Sequence, residues 1–386
     1  MRAEIDGILR QAVAAGDVPG VVAVVVDADG ALYEGAAGER TIGTGTPMTV
    51  DTVGAIYSMT KPLTGVAAMH AVEAGLLELD APASRVRPEL GSIKVLDGWN
   101  ADGEPVLRPP RTAITLRNLL THTSGFSYDI WNANTQRYLE HTGMPALNTG
   151  RVAALHQPLM FDPGERWEYG IGIDWAGQMI EAVAGCTLSD YLTEHILEPL
   201  GMTDTAFRGA APPTDRIASM HARIANGSFV VVERAQGTAP EFDEGGGGLV
   251  ATMHDYANFL RMVLRGGELD GHRVLAPETV DLMARNHIGD LRVRTLSTTN
   301  QMVSLDAEFF PGTPKSWGLT WQIDEQPQVT GRAAGTLMWA GLSNCFHWID
   351  RQSGVAGCFM TQVLPFVDER IVGSYYEVEA AVYAAH

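Results

Sequence analysis

The chain has 386 residues, 45% of them apolar, and its 27 basic and 46 acidic side chains leave a net charge of −19. This size and composition describe one large or two to three ordinary globular domains with ample core, and exclude a disordered chain. The acidic balance argues against phosphate backbones and anionic membrane as partners, and three cysteines without CxxC or metal-ligand spacing exclude a disulfide scaffold and a zinc site.

The chain opens with acids (Glu4, Asp6) and an amphipathic pattern of Ile5, Ile8, Leu9 and Val13, without the apolar stretch of a signal peptide. No run of about 18 apolar residues suggests a membrane span, so a soluble, cytoplasmic protein is expected. Val21 to Val26, then Asp27-Ala-Asp-Gly30, then Ala31 to Gly35 reads as a hairpin with an Asp/Gly turn. Leu63, Val66, Met69, Val72 and Leu76 recur at helical spacing over 62–77. The stretch after Asp80, up to Pro109-Pro110, is rich in Pro, Arg and Gly and reads as loop. Helices are predicted at 115–121, 151–157, 173–184, 187–200 and 253–264, the last preceded by the Gly245–Gly248 run.

Strands are predicted at 317–323, 336–339, 345–349 and 355–360, and the final twenty residues as a helix burying Ile371, Tyr375, Val378 and Val382. Strands at both ends and helices in the middle predict an α/β (α+β) fold. Residues 1–80 and 290–386 would form one sheet unit with terminal helices packed on it, and 81–289 a mainly helical lobe. There is no internal repeat or low-complexity tract.

The chemistry concentrates at Ser58-Met59-Thr60-Lys61, at the start of the 62–77 helix. Residues three apart share a helical face, so the lysine amine reaches the serine hydroxyl. A helix N-terminus disfavours the positive charge and burial lowers the amine pKa further, which is how a serine is activated without a histidine. Fourteen serines and three lysines (Lys61, Lys94, Lys315) over 386 positions give about 0.1 accidental matches to this spacing. There is no Gly-x-Ser-x-Gly elbow and no His-Glu-x-x-His pair, and no metal or cofactor is expected. His122 reads as a structural hydrogen-bonder. Gly245–Gly248 lacks the Lys-Ser/Thr of a phosphate loop and reads as a flexible loop beside the cleft.

The segment Asp51-Thr-Val-Gly-Ala-Ile-Tyr-Ser58-Met-Thr-Lys61-Pro-Leu-Thr-Gly resembles the active-site segment of the serine β-lactamase/penicillin-binding-protein superfamily, nearest its class C-like esterase branch, the family VIII carboxylesterases. Leu119–Gly125, Phe161–Tyr169, His195–Met202 and Gly246–Phe259 agree with that pattern. The resemblance implies a β-lactamase/transpeptidase-like fold and assigns the proton-shuttling tyrosine to Tyr169, within Pro-Gly-x-x-Trp-x-Tyr. The literal Tyr256-Ala257-Asn258 match falls inside the 253–264 helix, where Tyr256 reads as core-facing. After Tyr169 come Gly170 and Ile171, so the superfamily's Asn is missing and ordinary β-lactam turnover is not expected.

For the third element the resemblance favours Trp339-Ala340-Gly341 over Lys315-Ser316-Trp317. Lys315 is then a solvated loop charge, and Trp339, Gly341 and Ile171 line the substrate site. It also implies an oxyanion hole from the backbone N–H groups of Ser58 and Leu342. The expected function is hydrolysis of short-chain carboxylic esters through an acyl-enzyme, with Lys61 and Tyr169 jointly removing the serine proton and the base between them left open. A β-lactamase, D-amino-acid peptidase or acyltransferase of the same fold is the alternative, and a non-catalytic scaffold the third.

Overall fold

The computed structural model describes residues 1–208, 215–232 and 239–386. Its centre is a seven-stranded antiparallel sheet of β1 (Gly20–Asp27), β2 (Ala31–Gly38), β3 (Lys315–Trp317), β4 (Gln322–Asp324), β5 (Leu337–Gly341), β6 (Cys345–Asp350) and β7 (Val355–Met360), in the order β3-β4-β5-β6-β7-β1-β2. Strands from the two ends of the chain meet where β1 pairs with β7, with Val24 opposite Cys358.

The unbroken apolar run of β1 follows from this central place. Val22, Val24 and Val26 enter the cluster shared with the helical lobe, whereas Val21, Ala23 and Val25 enter a second cluster under the terminal helices. Those helices, α1 (Arg2–Ala14) and a C-terminal helix over Glu369–Tyr383, bury Ile5, Leu9 and Ala12 and Ile371, Tyr375, Val378 and Val382 on that face.

On the other face lie α2 (Thr60–Glu73), α3 (Leu116–Leu120), α4 (Ala133–Thr142), α5 (Gly172–Ala184), α6 (Leu188–Leu192), α7 (Met253–Leu264) and α8 (Pro277–Met283). α2 is buried nearly all round, from Thr60 to Met69 without a break, because it packs against α5 and α6 and, at Gly65, against Thr320 of the β3–β4 turn. That position fixes the serine and lysine at its start.

Several elements differ from the sequence reading. The 80–110 stretch carries a hairpin, Val95–Trp99 paired with Pro105–Arg108. The 151–157 segment is a 3-10 turn, and the 187–200 helix changes to a π turn at Thr193–Leu197. The 317–323 strand is two strands, because Gly318 to Trp321 form the turn between β3 and β4. α4 and α8 carry no strong apolar period, and α4 buries only Thr135 and Tyr138.

Lys315 is a clear correction. It is 2% exposed, and its Nζ lies 3.1 Å from Glu308 Oε1, 3.0 Å from the Phe310 carbonyl and 2.9 Å from the Thr313 carbonyl. Three acceptors from one turn satisfy the ammonium, which is what allows it inside the protein. Among the described residues, no helix is long and apolar enough to cross a membrane, and no three His, Cys, Asp or Glu side chains cluster to hold a metal ion.

Candidate active site

Ser58 lies in a 3-10 turn, Tyr57–Met59, that runs directly into α2. Tyr57 takes a positive φ of 44°, a costly conformation for a non-glycine residue, at the bend that turns the chain into the helix. Ser58 is half-buried, whereas Lys61, one turn on, is fully buried.

The Lys61 amine has three oxygen neighbours. Ser58 Oγ is at 2.9 Å, Tyr128 Oη at 3.0 Å and the Gly246 carbonyl at 2.7 Å. The carbonyl can only accept, so it claims one N–H in either protonation state. The two hydroxyls can donate or accept. A neutral amine therefore has an arrangement in which the Ser58 O–H points at its lone pair. An ammonium has three acceptors for its three protons. One geometry serves both states, which is what a proton acceptor requires.

Burial pulls the Lys61 pKa well below the ordinary lysine range, and the carboxylates of Asp174 and Glu244 oppose that fall. The rings of Tyr169 and Tyr128 lie 4.7 and 5.2 Å from Nζ, close enough to stabilise a transient ammonium.

Tyr169 Oη accepts the Trp339 Nε1–H at 2.9 Å. Burial holds its phenol above the usual range, although the Ser58 hydroxyl stands near enough to pull the pKa down, so it rests protonated. Its approach is braced from two sides. Glu168 N–H donates to the His122 carbonyl at 2.9 Å and Gly170 N–H to His122 Nδ1 at 3.3 Å. His122 is therefore a neutral, buried hydrogen-bonder, as its sequence context suggested, and its ring lies 4.5 Å from that of Tyr169. A Cβ at Gly170 would fall 2.2 Å from the Phe126 carbonyl, so only glycine fits beside the tyrosine. Upstream, Asp162 takes both Arg108 Nη atoms at 2.9 and 2.8 Å and the Arg111 N–H at 2.7 Å. The guanidinium holds its carboxyl down to about 2 and ties the segment to the 95–108 hairpin.

At the third element, β5 packs against the Ser58 turn, and a Cβ at Gly341 would lie 2.2 Å from the Ile56 carbonyl. That approach brings Leu342, the next residue, beside the turn, half-buried. Trp339 is buried with its indole against Tyr169, Trp317 and Phe309. Lys315 sits on β3, separated from β5 by β4, and is spent on its own turn. Ile171 is 1% exposed in the apolar cluster that includes Phe126 and Trp175. The position resembling the missing Asn therefore presents substrate with neither a polar group nor a free surface, which corrects its assignment to the substrate wall.

Sequence reasoning missed Tyr128, Gly246 and Asp174. Tyr128 stands three residues after Gly125 in the Leu119–Gly125 segment, and its hydroxyl supplies the side-chain polar contact to Lys61 that Ile171 does not. Trp131, half-buried, extends this wall, 5.8 Å from Tyr128 and 5.5 Å from Tyr169 between ring centroids. The Gly245–Gly248 run is packed against the Lys61 amine. Thr64 Oγ1 donates to the Gly245 carbonyl at 2.7 Å, and Gly246 N–H donates to Asp174 Oδ1 at 2.9 Å.

A family profile described as beta-lactamase matches residues 5–382. The lovastatin esterase of Penicillium rubens is 32% identical to this chain, with 94% of each covered. The monacolin J acid methylbutanoyltransferase of Aspergillus terreus is 32% identical, with 98% of this chain and 94% of the relative covered. Among solved structures, unliganded simvastatin synthase (LovD) from Aspergillus terreus matches with a TM-score of 0.86 at 30% identity, over 100% of this chain and 98% of that one.

Proposed function

Since this chain belongs to the beta-lactamase family, a family of serine enzymes whose relatives include an esterase and acyltransferases, we propose that it is a carboxylesterase of the family VIII type, acting through an acyl-Ser58 intermediate. The observation that carries this reading is the buried Lys61 amine, 2.9 Å from Ser58 Oγ and stripped of solvent.

Ser58 Oγ attacks the ester carbonyl carbon as its proton passes to Lys61 Nζ. Lys61, whose charged form burial disfavours, is the base, and Tyr169, held protonated, is the donor to the departing alkoxide. The ammonium proton then restores the phenol, so the acyl-enzyme carries a neutral amine and a neutral tyrosine. Water attacks the acyl carbon, giving its proton to the same pair, and Ser58 leaves with a proton of its own. The N–H groups of Ser58 and Leu342 stabilise the oxyanion in both halves. Trp339 in place of a cation favours a neutral ester over a carboxylate-bearing lactam.

An acyltransferase is the second reading, favoured by the methylbutanoyltransferase and synthase among the relatives. It shares every step up to the acyl-enzyme and differs in the acceptor. Quenching a p-nitrophenyl butyrate reaction in its first turnover and mapping peptides should find butyrate on Ser58, with a burst of p-nitrophenol. Absence of both overturns the proposal. Adding graded primary and alicyclic alcohols then divides the two readings. An esterase keeps butyrate as its main product, and an acyltransferase diverts most of it to the new ester at millimolar alcohol.

A further inference from the structure

We propose that Asp174 is the positioning residue for the catalytic amine, holding the Gly246 carbonyl on Lys61 and supplying the negative charge that balances the ammonium formed when Ser58 gives up its proton. This inference rests on the reading of Ser58 and Lys61 given above.

Asp174 is the third residue of α5 and is fully buried among Ile173, Trp175, Ala176 and Gly177. A carboxylate there costs several kcal/mol unless it is paired. Yet Oδ1 receives one hydrogen bond, from Gly246 N–H, and Oδ2 has no partner among the described residues. Glu244, the other carboxylate near Lys61, is held by Arg208 at 3.0 Å. Asp174 forms no ion pair with an arginine or histidine among the described residues; burial raises its carboxyl to about 7, and the Lys61 charge and the Gly246 N–H are what hold it down toward the ionised form. The fold thus keeps a poorly satisfied carboxylate where the apolar face of α5 would pack better with a neutral side chain.

Gly246 explains the position. Its N–H is bound by Asp174 and its carbonyl by Lys61 Nζ, so one residue connects the carboxylate to the amine. Glycine is required, because a Cβ there would fall 2.5 Å from Asp174 Oδ2. The neighbours are fixed as well, by Thr64 on the Gly245 carbonyl and by Gly247 and Gly248 N–H on the Glu244 carbonyl. With the carbonyl anchored, one amine N–H is committed to it and the lone pair is left for Ser58.

The groups facing Lys61 are Asp174 from α5, Glu244 just before the glycine run with Arg208, which follows the Ala206–Phe207 strand, paired to it, the phenols Tyr128 and Tyr169, and neutral His122. Of these, Asp174 opposes the desolvation of the amine most strongly.

The test follows the labelling of Ser58 by a fluorophosphonate against pH, a readout that needs no knowledge of the physiological ester. Asp174→Asn keeps the shape and the acceptor oxygen for Gly246 but removes the charge. Its acid limb should move to lower pH, leaving about three-tenths or more of its plateau rate where the wild type has fallen to a tenth. Gly246→Ala keeps both charged groups but drives its Cβ against the Asp174 carboxylate and so parts it from the loop and shifts the carbonyl on Lys61; its maximal labelling rate should fall by about tenfold to a hundredfold with the half-saturating probe concentration kept. An acid limb that stays in place in Asp174→Asn, or an unchanged maximal rate in Gly246→Ala, overturns the assignment. Should one variant fail to fold, the other decides. Labelling of Ser58 without ester turnover would instead defeat the esterase reading and leave this one standing.

Discussion

Replacing Ser58 by alanine is expected to lower kcat/KM for p-nitrophenyl butyrate by at least about 10^4-fold, because no other nucleophile stands where Oγ stands. The residual rate would come from binding and the oxyanion donors alone. The structural cost is small. Lys61 keeps the Gly246 carbonyl and the Tyr128 hydroxyl, and the loss of one half-buried hydrogen bond costs about 1 kcal/mol. The variant should therefore fold, melt within a few degrees of the wild type and resist a fluorophosphonate. Turnover that survives the substitution would place the chemistry elsewhere.

Lys61→Met should cost about 10^3- to 10^4-fold in kcat, since it removes the proton acceptor while nearly preserving length and flexibility. It also leaves the Gly246 carbonyl without its donor, so some loss of stability accompanies the loss of rate. Lys61→Arg separates charge from basicity. A guanidinium keeps the cation but does not accept a proton near neutral pH, so this variant should be as inactive as Lys61→Met. Recovery of activity in Lys61→Arg would mean that the lysine serves as a fixed charge. The sign of the pH dependence follows from the same state. Burial lowers the Lys61 pKa and the neutral amine is the active form, so activity is low in acid and rises with pH through that lowered value.

What could be read from the sequence was local. Ser58 and Lys61 are three residues apart on one helix, so their contact follows from helical geometry before any tertiary structure exists. The β1–β2 hairpin and α7 were legible for the same reason. Tyr128 was not, because its contact with Lys61 spans 67 residues and depends on how the loop after α3 is carried back to the start of α2 by the packing of α3 and α2 on α5. Gly246 was visible as composition, but its reason is a carboxylate 72 residues earlier in the chain. Lys315 misled because a lone lysine between Pro and Ser reads as exposed. Its burial depends on three acceptors, at Glu308, Phe310 and Thr313, that the turn immediately before it folds back onto the amine. Ile171 shows the opposite hazard. A position carried over by resemblance kept its place in the chain but lost its chemistry when the side chain became core.

The chain's three lysines make the central claim directly measurable. Protein labelled with ε-13C lysine gives three side-chain signals, of which Lys61's is the one lost in Lys61→Met. Followed against pH, that signal should titrate well below the ordinary lysine range, with its midpoint coinciding with the acid limb of Ser58 labelling. A Lys61 signal that stays fully charged through the whole range in which the enzyme is active would contradict the account.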